Sequence, residues 1–254
     1  MSSVETLTFY GAPVENLSMD EAVEYASELI DRRKPSVMVS LNIDILKLYT
    51  HNERFKDAYN TADIRLLDSQ PLFNIAKKQG MDIKEKVCGS DYMPRVCEMA
   101  AEKGYTCYIL GGAEGVPERA AEKLKKTYPG IKIAGTLSPE YGFEKREESL
   151  NKVISTVRNA SPDILFMCLG APKSELLLAK IKNELNVPLS LCVGASVDFI
   201  SGNKKRAPKW MSDHGLEWFY RMCQEPGRLV KRYSSDALFI AGLLAKSRAS
   251  KKQL

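Results

Sequence analysis

The residues of this sequence that are best suited to chemistry follow short apolar stretches. One of them, Asp68, could act as a general base, because partial burial raises the proton affinity of a carboxylate. Two others, Gly111 and Gly112, could let backbone N–H groups approach a phosphate. The full set consists of Ser40, Asn42, Asp68, Gly111, Gly112, the segment 170–173 and the segment 194–198. These residue types favour proton transfer and phosphate binding.

The predicted secondary structure explains why these residues are expected to meet. Apolar segments typical of strands alternate with helical segments of roughly 10 to 15 residues, which predicts βαβ units and a parallel sheet. Ligands of such sheets bind beyond the carboxyl ends of the strands. We therefore expect an α/β fold, with a Rossmann-like parallel-sheet core and helices on both faces. The predicted strands are 36–41, 64–67, 105–110, 131–134, 163–169 and 189–193, and the predicted helices include 18–33, 91–103, 116–127, 144–160 and 173–185.

Asp68 has a second interpretation. It directly follows the predicted strand 64–67 and precedes Pro71, so its side chain could cap the helix that is expected to begin there. Aspartate suits a helix cap as well as it suits general-base catalysis. The local sequence alone favours the cap.

The glycines after the strand 105–110 are also open to two interpretations. The run from Leu110 to Gly115 joins this strand to a predicted helix, an arrangement that can hold a phosphate at the N-terminus of the helix. A tight turn without a ligand explains the same residues equally well. The run is not the G-x-G-x-x-G pattern, which disfavours a nicotinamide-dependent enzyme.

The sequence predicts neither a metal site nor a cofactor. The two histidines, His51 and His214, lie far apart without metal-ligand spacing, and the chain has no Asp-x-Asp pair. The six cysteines form no C-x-x-C pair and several lie in apolar stretches, which indicates buried free thiols in a reducing cytoplasm. We expect no secretion signal at the N-terminus, and the apolar run 237–245 is too short to span a bilayer.

The character of the chain changes near residue 202. From Asn203 onward lie 12 of the 37 basic and 4 of the 32 acidic residues, so this part carries +8 and the preceding part −3. Arginines alternate here with Trp, Phe and Tyr, a combination that suits an anionic membrane surface or a lipid phosphate. A helical cap or a nucleic-acid surface fits the composition less well. We expect a catalytic domain over 1–201 and a basic, helical, membrane-associating appendage over 202–254.

Motifs along nearly the whole chain resemble the WecG/TagA/CpsF glycosyltransferases. The appendage carries R-A-P-x-W, G-L-E-W-x-Y-R and E-P-x-R-L, which begin at Arg206, Gly215 and Glu225. The body carries matching residues at 42, 62–68, 89–91, 110–112, 162–165, 169–173 and 194–199. The resemblance implies an inverting, metal-independent enzyme on the cytoplasmic face of a bacterial plasma membrane. It would transfer a hexose, N-acetylmannosamine or a related sugar, from a UDP-sugar to a polyprenyl-diphosphate-linked sugar, in the synthesis of teichoic acid or another surface polysaccharide.

The resemblance also implies roles for individual residues. Asp68 matches the proposed catalytic base of the family, and Asn42 and Ser40 accompany it. Donor and diphosphate binding are implied for Gly111, Gly112, Tyr141, Lys173, Ser174, Asp198 and Lys86, with Tyr141 and Asp198 at the uridine. Contact with the acceptor diphosphate is implied for Arg206, Arg221 and Arg228.

Some positions depart from the family pattern. Ser40 replaces a usual Thr, and Lys86 replaces a usual Arg, which keeps the charge but loses bidentate geometry. Ser174 replaces a usual Gln and is expected to change how one sugar is held. The identity of both sugars therefore stays open. The alternative function is a catalytically inactive nucleotide-binding or scaffold protein of the same fold. Nucleic-acid binding is disfavoured, and homo-oligomerisation is left open.

Overall fold

A parallel sheet forms the centre of the protein in a computed structural model. The structure describes residues 4–208, 210–211 and 216–251, without the side chains of 217, 228 and 246–251. After an N-terminal hairpin, β1 (Thr6–Phe9) and β2 (Ala12–Glu15), the sheet has the order β4-β3-β8-β7-β5-β6, and all neighbouring strands are parallel. Its strands are β3 (Ser36–Leu41), β4 (Ile64–Leu67), β5 (Thr106–Gly111), β6 (Lys132–Leu137), β7 (Ile164–Cys168) and β8 (Leu189–Cys192). The predicted fold class is confirmed.

Helices cover both faces of the sheet, which is why its central strands are apolar without alternation. On β3, the side chains of Val37, Val39 and Leu41 enter one core, and Met38 enters the other. The first core is completed by α2 (Ile43–His51), α3 (Glu53–Asn60), α4 (Gln70–Lys78), α7 (Glu147–Ala160) and α8 (Lys173–Leu185). The second is completed by α1 (Met19–Asp31), α5 (Gly89–Lys103), α6 (Val116–Thr127) and α9 (Ser196–Ser201). A short 3₁₀ helix, Phe143–Lys145, precedes α7.

Local sequence signals fix where several helices begin. At α1, Ser18 and Glu21 form a capping box, in which the Glu21 N–H donates to Ser18 Oγ at 3.3 Å and the Ser18 N–H donates to Glu21 Oε2 at 2.8 Å. Each bond satisfies a backbone donor that has no partner inside the helix.

The N-terminal hairpin packs against β4 through a buried ion pair. Arg65 on β4 donates to Glu15 at the end of β2, from Nε at 3.1 Å and from Nη2 at 2.5 Å. Both side chains are largely shielded from water. This bidentate pair ties the hairpin to the strand that carries Asp68 at its end.

Two C-terminal helices, α10 (Glu217–Gln224) and α11 (Pro226–Lys251), follow the body. Helix α11 packs on α2, where the rings of Phe239 and His51 are 5.8 Å apart and Leu243 joins the first core. Lys47 of α2 donates to Ser235 Oγ of α11 at 2.5 Å. These contacts hold the appendage beside the carboxyl end of β3, where α2 begins. Within the described part of the chain, no helix has the length and apolar character needed to span a membrane.

Candidate active site

A cleft of about 1360 Å³ lies between the carboxyl edge of the sheet and the C-terminal helices. The ends of β3, β4, β7 and β8 form one wall, and residues of α10 and α11 form the other. This is the edge at which ligands bind in parallel α/β sheets. The cleft brings together residues singled out from the sequence, namely Ser40, Asn42, Asp68, Lys86, Ser174, Asp198 and Arg221, with parts of the segments 170–173 and 194–198.

Asp68 follows β4, and its side chain does not cap α4, the helix that comes next in the chain. Helix α4 is capped by Ser69, whose Oγ accepts from the Leu72 N–H at 3.4 Å. The first amide of α5 holds Asp68 instead, since the Gly89 N–H donates to Asp68 Oδ2 at 3.1 Å. This bond fixes the orientation of the carboxylate at the N-terminus of α5. The interpretation of Asp68 as the cap of α4 is wrong, and its role as a base stays a prediction.

Ser40 and Cys88 lie beside this carboxylate. A Cβ atom placed on Gly89 would lie 3.6 Å from Asp68 Oδ2 and 3.7 Å from Ser40 Oγ, so both oxygens face the same glycine. Burial raises the pKa of the Cys88 thiol, and the neighbouring Asp68 raises it further, so the thiol stays protonated at neutral pH. Neither this thiol nor the serine hydroxyl competes with Asp68 as a base at this end of the cleft.

Asn42 has a structural role that leaves part of its amide for a ligand. It caps α2, and its Oδ1 accepts from the Ile45 N–H at 3.1 Å. This bond fixes the orientation of the amide, so the donor group Nδ2 is the end that a ligand in the cleft can use. No described residue accepts a hydrogen bond from Nδ2. Capping and ligand binding are therefore compatible at this position.

The wall formed by the appendage is cationic and aromatic. The guanidinium of Arg221 lies over the ring of Phe199, 5.8 Å from its centroid. The rings of Trp218 and Tyr233 meet edge to face at 6.0 Å, and all four residues line the cleft. Asp68 and Arg221 thus share one cleft, although 152 residues lie between them in the sequence.

Most cations of the cleft are already paired with carboxylates. Lys204 is 2.6 Å from Glu225, Arg232 contacts Asp44, and Lys47 is 4.0 Å from Asp236. Lys86 and Arg221 also line the cleft, and neither forms an ion pair with a residue that the structure describes. These two side chains are therefore the ones best placed to meet an anionic ligand.

The two glycines that follow β5 do not line the cleft. Gly111 and Gly112 have φ angles of 104° and 92°, and a Cβ on Gly111 would lie 2.8 Å from the Cys168 backbone. Close packing of β5 against β7 thus requires Gly111. The donor-binding role of Gly111 and Gly112 stays a prediction.

Three predicted residues lie elsewhere on the surface. Tyr141 is 95% exposed, and Lys173 Nζ lies 4.9 Å from the centre of its ring. Arg206 is 2.7 Å from Asp91 on α5, at the rim of the cleft beside Ser90. The side chain of Arg228 lies outside the described residues. The role proposed for each of them stays a prediction.

The described residues contain no group of three or more His, Cys, Asp or Glu side chains arranged to hold a metal ion. The model of the glycosyl transferase WecG/TagA/CpsF family matches residues 7–254. The chain belongs to this family of glycosyltransferases.

Two curated relatives of the family are similar to the protein over most of their length. One, from Bacillus spizizenii, is 28% identical over 246 residues, which cover 94% of this chain and 93% of the relative. The other, from Bacillus subtilis, is 26% identical over 232 residues, covering 91% and 88%. Both are named N-acetylglucosaminyldiphosphoundecaprenol N-acetyl-beta-D-mannosaminyltransferase.

One polar residue of the cleft, Glu175, is not predicted from the sequence of this family member. It follows Ser174 in the first turn of α8, it is 6% exposed, and burial raises its pKa to about 7. Its position two residues after the motif 169–173 was the only available signal, since a glutamate in an amphipathic helix is ordinarily exposed.

Proposed function

We propose that the protein transfers a hexose, N-acetylmannosamine or a closely related sugar, from a UDP-sugar to a sugar linked to polyprenyl diphosphate. The observation that carries this proposal is the presence of Asp68, held by the N-terminus of α5, and Arg221, from the appendage, in one cleft. A fixed base and a cation for the diphosphate are two groups that such a transfer requires. The names of the two Bacillus relatives support the choice of sugar and acceptor.

Asp68 is the proposed general base. It removes the proton from the attacking hydroxyl of the acceptor sugar, and the resulting oxygen forms a bond to the anomeric carbon of the donor. On the opposite side, the bond from this carbon to the diphosphate breaks, and its electron pair stays on the departing UDP. Attack opposite the leaving group inverts the configuration at the anomeric carbon.

Lys86 and Arg221 are proposed to neutralise the diphosphates. The leaving UDP gains negative charge as the sugar bond breaks, and a nearby cation stabilises this charge most where water is excluded. Both side chains line the cleft without a carboxylate partner among the described residues. In this proposal they take over the part that a divalent ion plays in other sugar transferases.

The appendage is proposed to bring the enzyme to the inner face of the plasma membrane, where a polyprenyl-linked acceptor resides. Trp210, Trp218 and Phe219 are 60%, 45% and 44% exposed. Exposed aromatic rings beside lysines and arginines favour the boundary of an anionic membrane.

The proposal is tested by measuring UDP release from UDP-N-acetylmannosamine with a short-chain polyprenyl-diphosphate N-acetylglucosamine as acceptor. We expect turnover that EDTA leaves unchanged, and a product with the anomeric configuration inverted relative to the donor, as read by NMR. UDP binding without turnover of any UDP-hexose would instead indicate the alternative, a nucleotide-binding or scaffold protein.

A further inference from the structure

Two neighbouring side chains in the first turn of α8 carry buried oxygens that lack a hydrogen-bond partner. Ser174 is 1% exposed and Glu175 is 6% exposed, and both line the cleft. Ser174 Oγ and Glu175 Oε2 form no hydrogen bond within the described part of the chain. Nearly all buried polar atoms in folded proteins are paired, so two adjacent exceptions in one cleft wall indicate groups whose partner is a ligand.

The surroundings of Glu175 favour its uncharged form. Burial raises its pKa to about 7, opposed only by a hydrogen bond from its own backbone amide. The titratable group facing it from β8 is the Cys192 thiol, with the Cys168 thiol of β7 beyond it, and burial raises the pKa of both. On α8 itself, Lys173 is paired with Glu144 at 3.2 Å.

The other elements that pack against α8 place no described charge beside the Glu175 carboxyl group. Helices α3 and α7 and strand β3 also pack against α8, and no described charged group on them shifts the pKa of Glu175. In its protonated form, the carboxyl group of Glu175 donates through O–H and accepts through its second oxygen, and the Ser174 hydroxyl likewise offers both roles. Among the described residues, a negatively charged phosphate finds only the paired Lys173 near this point, whereas a neutral ligand group finds both donors and acceptors.

We infer that Ser174 and Glu175 form a subsite for a neutral polar substituent of the transferred sugar, a hydroxyl or an acetamido group. This inference rests on the proposed function and extends it, because it assigns the sugar of the donor to the α8 wall of the cleft. Lys86 and Arg221, which line the cleft elsewhere, remain for the diphosphates. Bound sugar would supply the hydrogen bonds that the two buried oxygens lack.

The test separates the sugar from the nucleotide. Calorimetric titration with UDP and with UDP-N-acetylmannosamine gives the affinity that the sugar adds, and this difference is measured at about pH 6 and about pH 8.5. Glu175→Leu removes both hydrogen-bonding roles at similar volume. Glu175→Gln keeps a neutral donor and acceptor. Ser174→Ala is the smallest of these changes, and it is titrated in place of Glu175→Leu if that variant does not fold.

We expect Glu175→Leu to lower the affinity added by the sugar by about tenfold or more and to leave the affinity for UDP unchanged. Glu175→Gln should lose less. In the wild type the added affinity should fall above about pH 7, because ionised Glu175 must take up a proton before a sugar covers it. In Glu175→Gln, the affinity added by the sugar should not fall above about pH 7, because the amide does not ionise. Burial and the neighbouring Asp44 raise the pKa of Asp236 to about 6, but it titrates in every variant and cancels in the comparison.

The subsite is overturned if Glu175→Leu and Ser174→Ala keep the full affinity added by the sugar, or lose affinity for UDP and UDP-sugar alike. A wild type that binds UDP-sugar no more tightly than UDP also overturns it. These outcomes are distinct from failure of the proposed function, which is read from turnover of the wild type. If the wild type is active and substitution of Glu175 leaves the affinity added by the sugar unchanged, only the subsite is refuted.

Discussion

The two walls of the cleft are built in different ways. On the body wall, the backbone fixes the side chains, since the Gly89 N–H holds Asp68 and the Ile45 N–H holds Asn42. On the appendage wall, side chains hold one another, as in the stacking of Arg221 on Phe199 and the pair Lys204–Glu225.

The difference matches the distances over which the two proposed tasks work. A base must lie within hydrogen-bonding distance, about 3 Å, of the proton that it removes, so it benefits from a rigid strand end. Attraction between a cation and a diphosphate falls only with the inverse of distance and tolerates a less rigid support. The rigid wall therefore suits proton transfer, and the helical wall suits charge neutralisation.

The largest expected effect follows from changing the base on the rigid wall. Asp68→Asn keeps the size of the side chain and removes its ability to accept the proton. We expect turnover to fall by roughly 10² or more, with the affinity for UDP retained. Asp20→Asn, on an 83% exposed side chain of α1, is the matched control. If the turnover rate of Asp68→Asn lies within about threefold of the rate of the control variant, Asp68 is not the base.

A smaller effect is expected on the appendage wall. Arg221→Ala removes a lining cation, and we expect kcat/KM to fall by about 10-fold to 100-fold, mostly through charge lost at the diphosphate. Arg206, at the rim and paired with Asp91, gives the comparison variant Arg206→Ala, for which a smaller loss is expected. A larger loss for Arg206→Ala than for Arg221→Ala would show that the appendage binds the diphosphate in another arrangement.

Much of the body could be predicted because its sequence signals are local. The predicted strands 36–41 and 64–67 and helices 116–127 and 173–185 coincide with the observed elements. Buried apolar strands, a capping box and helical periodicity all act over a few residues. The rule that parallel sheets bind ligands at their carboxyl edge then placed Ser40, Asn42 and Asp68 in one cleft.

Other features depend on contacts between distant segments and could not be read locally. The hairpin β1–β2 is short and is held to β4 by the Glu15–Arg65 pair. The cap assigned to Asp68 was wrong because the next residue, Ser69, has an equally suitable side chain. The basic composition of the appendage did not reveal that Arg232 and Lys204 would be paired with carboxylates.

The exposed aromatic side chains of the appendage lead to a third prediction, of a moderate effect. Trp210 is 60% exposed and does not line the cleft, so Trp210→Ala should weaken retention on anionic vesicles several-fold. Turnover of a short-chain, water-soluble acceptor should change by less than about twofold, since that acceptor needs no membrane. Co-sedimentation with anionic and neutral vesicles measures the retention. Equal retention of the variant and the wild type on anionic vesicles would contradict a membrane role for Trp210.

The smallest expected effect concerns the stability of the rigid wall. Burial raises the pKa of Glu175 in the folded protein to about 7, above its value in the unfolded chain. The stability of the wild type should therefore fall as the pH rises from about 4.5 to about 7 and then level off, because the unfolded chain releases this proton first. Glu175→Gln has no such proton. Between about pH 5.5 and pH 8.5, its unfolding free energy should gain about 2 kcal/mol relative to the wild type, or roughly 5 °C in Tm. Differential scanning fluorimetry at both pH values measures this gain, and an equal Tm difference at the two pH values would place the carboxyl of Glu175 in contact with water.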